Sequence, residues 1–150
     1  MKNNPLLIVL GEPNSIFSEI FFKTYKKKII QKFNRPIVVI GSENLLKLQM
    51  KALKYSIKIN KINLFNLKKL NLNKNYINII NVDYKFKKAF NVISNDSSEY
   101  IGNCFKKALE LLNKKYAFAL INGPISKTHF LEKKYLGITE YLANKNKIKK

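Results

Sequence analysis

Two loops carry the residues best suited to chemistry. Gly11-Glu12-Pro13 directly follows the apolar run Leu6 to Leu10. Asn122-Gly123-Pro124 directly follows Tyr116 to Ile121 and leads to Ser126 and Lys127. In open parallel sheets, ligands sit beyond the carboxyl ends of the strands. Gly allows close backbone approach there, and Pro fixes the turn. A helix starting after each loop would offer free N–H groups and partial positive charge, which suit phosphate or carboxylate. Lys127 would lie in the first turn of the second helix. A cation there opposes the helix dipole unless an anion binds between them. The plainer alternative is that both loops are only turns and Lys127 is one of 28 lysines.

Other constellations are absent from the sequence. The glycines Gly11, Gly41, Gly102, Gly123 and Gly137 form neither G-x-G-x-x-G nor G-x-x-x-x-G-K-[ST]. Cys104 and His129, one of each type, cannot supply the usual Cys/His spacing of a zinc site. A single cysteine also excludes an intrachain disulfide framework and fits a reducing, cytoplasmic setting. Cys104 falls on an apolar helix face and reads as core. His129 lies in a charged segment and reads as exposed.

The formal net charge is +20, which by itself suggests a nucleic-acid partner. Yet 28 of the 29 basic residues are Lys, whereas base readout and bidentate phosphate recognition favour Arg. Lys is accompanied by 20 Asn and 19 Ile, residues that share A/T-rich codons. Nucleotide bias is the simpler cause, and most lysines then occupy a solvated surface. Their short runs are scattered, and the 18 Tyr and Phe residues form no stacking platform. A small Lys-rich nucleic-acid-binding protein is the alternative function; it would bind with a steep salt dependence. No apolar run approaches the roughly 20 residues of a membrane span.

The elements that must position the loops follow from the apolar pattern. Leu6 to Leu10 reads as a strand buried on both faces, and Ile37 to Ile40 as a second. Asn14 or Ser15 can cap a helix whose apolar face would be Ile16, Ile20, Ile29-Ile30 and Phe33. Ser42 can cap another, running to about Leu53. The alternation in Ser56 to Ile62 and in Tyr76 to Val82 predicts half-exposed strands, with loop between them over Asn66 to Asn75. Residues 83 to 95 read as irregular chain or a short helix. Ser97 to Lys114 is the best helix, with Asp96 and Glu99 resembling a capping box. A strand over Tyr116 to Ile121, a short helix from Ser126 and a helix from Ile138 to about Asn144 complete the chain. The polar segment Asn144 to Lys150 reads as an exposed end or as a cut in a longer protein. The class is α/β, in α/β/α layers around a largely parallel sheet. Leu6 to Leu10, Ile37 to Ile40 and Ala117 to Ile121 should be adjacent inner strands. Both glycine loops should then open on one sheet edge.

Three segments carry a family resemblance. Gly11-Glu12-Pro13, Ile16 and Glu19 are similar to the opening G-E-P-x-G-I-G-P-E of the 4-hydroxythreonine-4-phosphate dehydrogenase family. Asn122-Gly123-Pro124-Ile125-Ser126-Lys127 resembles its T-G-P-x-x-K, and Gly137-Ile138-Thr139-Glu140-Tyr141 its G-H-T-E-[FY]. They occur in the family's order and span almost the whole chain. The resemblance implies a fold like isocitrate and isopropylmalate dehydrogenases, here incomplete. It makes residues 1–150 the N-terminal part of a two-domain dehydrogenase that works as a homodimer. It implies NAD(P)-dependent oxidation of 4-(phosphooxy)-threonine, followed by loss of CO₂, in pyridoxal 5′-phosphate synthesis. A divalent metal held by histidines would polarise the substrate oxygens.

By the same resemblance, Gly123, Lys127, Ile138 and Thr139 would line the substrate site. The chain departs from the pattern in two ways. Ile138 stands where the family has a substrate-contacting His. The family's metal-binding histidines lie beyond the matched stretch, and His129 matches none of them. The chain is therefore expected to be a fragment or truncated relative that is inactive alone.

Overall fold

The computed structural model describes residues 4–63, 72–132 and 134–146. Its frame is a five-stranded parallel sheet made of β1 (Leu6–Val9), β2 (Ile37–Gly41), β3 (Ile59–Lys61), β4 (Ile77–Asn81) and β5 (Ala119–Asn122), in the order β3-β4-β2-β1-β5. Among the described residues, four α-helices accompany it: α1 (Phe17–Lys26), α2 (Glu43–Ala52), α3 (Ser98–Asn113) and α4 (Ile138–Lys145). Of the predicted loop at 66–75, residues 66–71 lie outside the described residues.

Strand alternation divides the core in two. Leu7, Val9, Val38 and Ile40 point to the layer of α3 and α4, where Ile101, Cys104, Phe105, Ala108 and Tyr141 pack. Ile8, Leu10, Ile37 and Val39 point to the layer of α1 and α2, where Phe21, Phe22, Tyr25, Leu46 and Met50 pack. Successive residues of a strand face opposite sides, so an unbroken apolar run is what a doubly covered strand requires. The expected α/β/α layering is thereby met. Burial also pushes the Cys104 thiol up to about 12, which leaves it an inert core group.

Several local expectations are corrected. The core face of α1 is Ser18, Phe21, Phe22 and Tyr25, while Ile16, Ile20, Ile29 and Phe33 stay exposed. The helix stops at Lys26, because Lys28 adopts a left-handed φ of 53°. Phe21, Phe22 and Tyr25, at i+3, i+4 and i+7 from Ser18, offer more apolar area than the isoleucines. The strand at 76–82 is buried rather than half-exposed, with Ile77, Asn78, Ile79 and Ile80 all inside. Asn78 can be buried because its amide donates to the Asn73 carbonyl (3.0 Å) and accepts from Asn60 (3.0 Å). The last strand begins at Ala119 and lies at an edge of the sheet, so it adjoins β1 but is not an inner strand.

Two substitutions test the reassigned face of α1. Phe22→Ala should cost about 3–5 kcal/mol of stability in denaturant titration. Ile20→Ala, which removes an outward side chain, should change it by no more than about 0.5 kcal/mol. The reverse ranking would mean that α1 is rotated.

Candidate functional site

The site is built where β1 and β5 end side by side. Their parallel register pairs Val9 with Asn122, so the next residues of both strands leave the sheet together. Gly123 N–H donates to the Val9 carbonyl (2.7 Å), and Glu12 N–H donates to the Pro124 carbonyl (2.8 Å). The two glycine loops therefore open on one edge and are laced to each other. Each glycine is required by the other loop. Gly11 has φ +75°, and a Cβ there would lie 2.2 Å from the Pro124 oxygen. A Cβ on Gly123 would lie 2.2 Å from the Leu10 oxygen.

Glu12 is a buried carboxylate, 3% exposed. Ser97 Oγ donates to its Oε2 (2.8 Å), and the backbone N–H of Asn14 to its Oε1 (3.1 Å). Buried charge is tolerable only when hydrogen-bonded in this way. Pro13 is held from the other side, where Gln49 Nε2 donates to its carbonyl (2.7 Å) and to that of Ala89 (3.0 Å). Gln49 thus ties the irregular segment after β4 to the loop. A cavity of about 270 Å³ opens there, lined by Asn14, Leu45, Tyr84, Phe86, Asn91, Asp96 and the lysines Lys85, Lys87 and Lys88. The Tyr84 phenol is pushed up by burial first, and then by the negative charges of Glu12 and Asp96.

The second loop differs from its expectation. No helix starts at Ser126; residues 127–130 form a turn. Ser126 closes that turn, since its Oγ accepts from His129 N–H (3.2 Å) and its carbonyl from Phe130 N–H (2.8 Å). The turn goes no further because the His129 carbonyl accepts from Ser98 Oγ instead (3.0 Å) and Glu132 takes a left-handed φ of 47°. Leu131 then drops into the core beside α3. Lys127 is consequently an exposed cation on a pinned turn, with no helix dipole behind it. It makes no hydrogen bond or ion pair among the described residues.

The third segment is a helix start. Gly137 is the N-cap residue of α4, and the Glu140 carboxylate reaches back to accept from Leu136 N–H (2.7 Å). Thr139 is exposed in its first turn. Ile138 is half-buried and packs against the core that α3 and α4 share, which gives the isoleucine an apolar contact of its own. The capping box at Asp96 and Glu99 does not form; a 3-10 turn over Asn95–Ser97 precedes α3, and Ser94 caps that turn instead.

Residues that sequence reasoning passed over are Asn95, read within the irregular stretch 83–95, Ser97 and Ser98, read only as a helix start, and the carboxylate of Glu12. Glu12 did carry a signal, being a charge placed directly after a doubly buried strand. Among the described residues no group of three or more His, Cys, Asp or Glu side chains could hold a metal ion. His129 Nδ1 is occupied by Asn95 Oδ1 (2.8 Å). No described helix is long and apolar enough to cross a membrane.

The sequence pattern of a family described as "Pyridoxal phosphate biosynthetic protein PdxA" matches residues 32–150. The match contains the Gly123 and Gly137 segments and begins after the Gly11 loop. No curated protein matches the chain. A 4-hydroxythreonine-4-phosphate dehydrogenase from Burkholderia phymatum superposes with a TM-score of 0.83 at 20% identity, over 99% of this chain and 45% of that one. One from Klebsiella pneumoniae superposes with a TM-score of 0.79 at 19% identity, over 95% of this chain and 44% of that one. These likenesses establish the fold, and the chain spans less than half the length of either structure.

The laced loops set their own test. Gly11→Ala and Gly123→Ala should each destabilise the fold by about 1–3 kcal/mol, because backbone atoms must move. Gly102→Ala, whose Cβ would meet only the Tyr141 hydroxyl at 3.8 Å, should stabilise α3 by up to about 1 kcal/mol. Thermal melts of the three variants decide; equal effects would contradict the close approach.

Proposed function

As a member of the pyridoxal phosphate biosynthetic protein PdxA family, the chain has, we propose, the role of the substrate-binding part of an NAD(P)-dependent 4-hydroxythreonine-4-phosphate dehydrogenase. Residues 1–150 are then the N-terminal part of a two-domain, cytoplasmic enzyme that pairs as a homodimer. The observation that supports this best is the pinned turn carrying Lys127 at the carboxyl edge of the sheet, inside the stretch the family matches. The substrate class is a small phosphorylated hydroxy amino acid.

The chemistry assigned to this chain is binding and orientation. Lys127 supplies a mobile positive charge for the substrate's phosphate or carboxylate, and the Gly123 loop lets ligand approach the backbone. Thr139 supplies a hydroxyl donor. Ile138 supplies neither donor nor acceptor, so substrate is held more weakly than an imidazole at that position would hold it. The described residues do not fit a divalent metal, because no ligand set is present. When bound, NAD(P) supplies the hydride acceptor.

Amide shifts during titration with 4-(phosphooxy)-threonine test the binding role. Residues 123–128 should shift. Lys127→Ala should weaken binding by the roughly 1.5–3 kcal/mol of a bond to a charged group, and Ile138→His should strengthen it. Absence of shifts there, or shifts spread evenly over all lysines, would reduce Lys127 to surface charge.

The 150-residue chain with NAD and a divalent metal should produce no measurable NADH from 4-(phosphooxy)-threonine. Without metal ligands, the charge developing on the substrate oxygen lacks its main stabiliser. Steady NADH production from the purified chain would show the assignment of roles to be wrong.

A further inference from the structure

The start of α3 grips both glycine loops at once. Ser97 Oγ donates to Glu12 of the first loop (2.8 Å). The adjacent Ser98 Oγ donates to the His129 carbonyl of the second (3.0 Å). Two residues before Ser97, Asn95 Oδ1 meets His129 Nδ1 (2.8 Å). An amide oxygen only accepts, so the His129 ring carries its proton on Nδ1. His129 is therefore held at its ring and at its carbonyl by one short segment. Lys127 lies two residues before it in the same turn, which Ser126 closes.

Without these bonds, the turn would hang from Pro124 at one end and from Leu131 at the other. Among the described residues the lysine has no partner of its own to fix it. We infer that Asn95, Ser97 and Ser98 are positioning residues for Lys127: they form a bracket that sets the second glycine loop at a fixed place relative to the first. The bracket rests on the proposed substrate-binding role for the value of that placement, and on geometry alone for its existence. Its effect on binding is entropic, because a pre-ordered turn loses less freedom when a ligand arrives.

The test has a ligand-free arm and a ligand arm, both on the 150-residue chain. In the first, ¹⁵N spectra of the His129 ring and hydrogen exchange at His129 and Phe130 are followed in wild type, Asn95→Ala, Ser98→Ala and Ser98→Thr. Wild type should show the Nδ1–H tautomer and slowed exchange. Asn95→Ala should lose the tautomer preference, Ser98→Ala should speed the exchange, and Ser98→Thr should restore it. In the second, inorganic phosphate is titrated and shifts at residues 123–128 are read. Asn95→Ala and Ser98→Ala should weaken binding about threefold to tenfold, with Ser98→Thr near wild type. Ser97→Ala should loosen Asn14 and Pro124 together. Unchanged ring signals and exchange in the variants would overturn the bracket. Changed exchange with unchanged phosphate affinity would overturn its positioning role. Wild type that binds no phosphate would overturn the substrate-binding role and the positioning role with it, while the first arm still decides whether the bracket exists.

Discussion

The structure depends on one close approach. Where β1 and β5 end, the backbone of each loop passes so near the other that neither tolerates a Cβ. This contact, more than any side chain, brings residues far apart in sequence to one edge. Once it is made, Glu12 must be buried, and a buried carboxylate demands donors. Ser97 and the Asn14 amide supply them, which fixes the start of α3 against the first loop. Ser98 follows Ser97 and so falls within reach of the second loop. The site's geometry is thus inherited from two glycines rather than assembled residue by residue.

Much of this was legible in the sequence. Leu6 to Leu10 and Ile37 to Ile40 are apolar at every position, and only strands covered on both faces need that. The long amphipathic period of α3 and the Gly-Pro punctuation after two strands were equally readable. What failed did so for physical reasons. Polar alternation in Tyr76 to Val82 implied exposure, yet Asn78 is buried, since a satisfied amide can sit inside. The isoleucines of α1 looked like a core face, but the helix was shorter than its apolar pattern and its phenylalanines took the inner side. The turn at Ser126 carried a correct capping signal without a helix behind it, because a bond from Ser98 took the carbonyl that the next turn needed. Tertiary hydrogen bonds of that kind leave no periodic trace.

The cationic surface has one exception to its lysine uniformity. Arg35 places its guanidinium carbon 3.8 Å from the centre of the Phe118 ring, just before the edge strand β5. A guanidinium is flat, weakly hydrated and suited to stacking, whereas an ammonium is not. Phe118 is 58% exposed, so the arginine shields an aromatic face that would otherwise meet water. Several lysines instead pair with surface carboxylates, where a compact ammonium serves.

The strand order also carries a consequence for how the protein comes into being. β1 is the first strand synthesised, yet its partner β5 lies more than a hundred residues further along the chain. Pairs so distant raise the contact order and slow folding, because the loop between them must close before the contact stabilises anything. During synthesis β1 can pair with β2 early, while its other edge waits for Ala119–Asn122 to emerge. The edge that carries the second glycine loop is therefore the last part of the sheet to exist, and a chain stalled before that point would be folded on one side and open on the other.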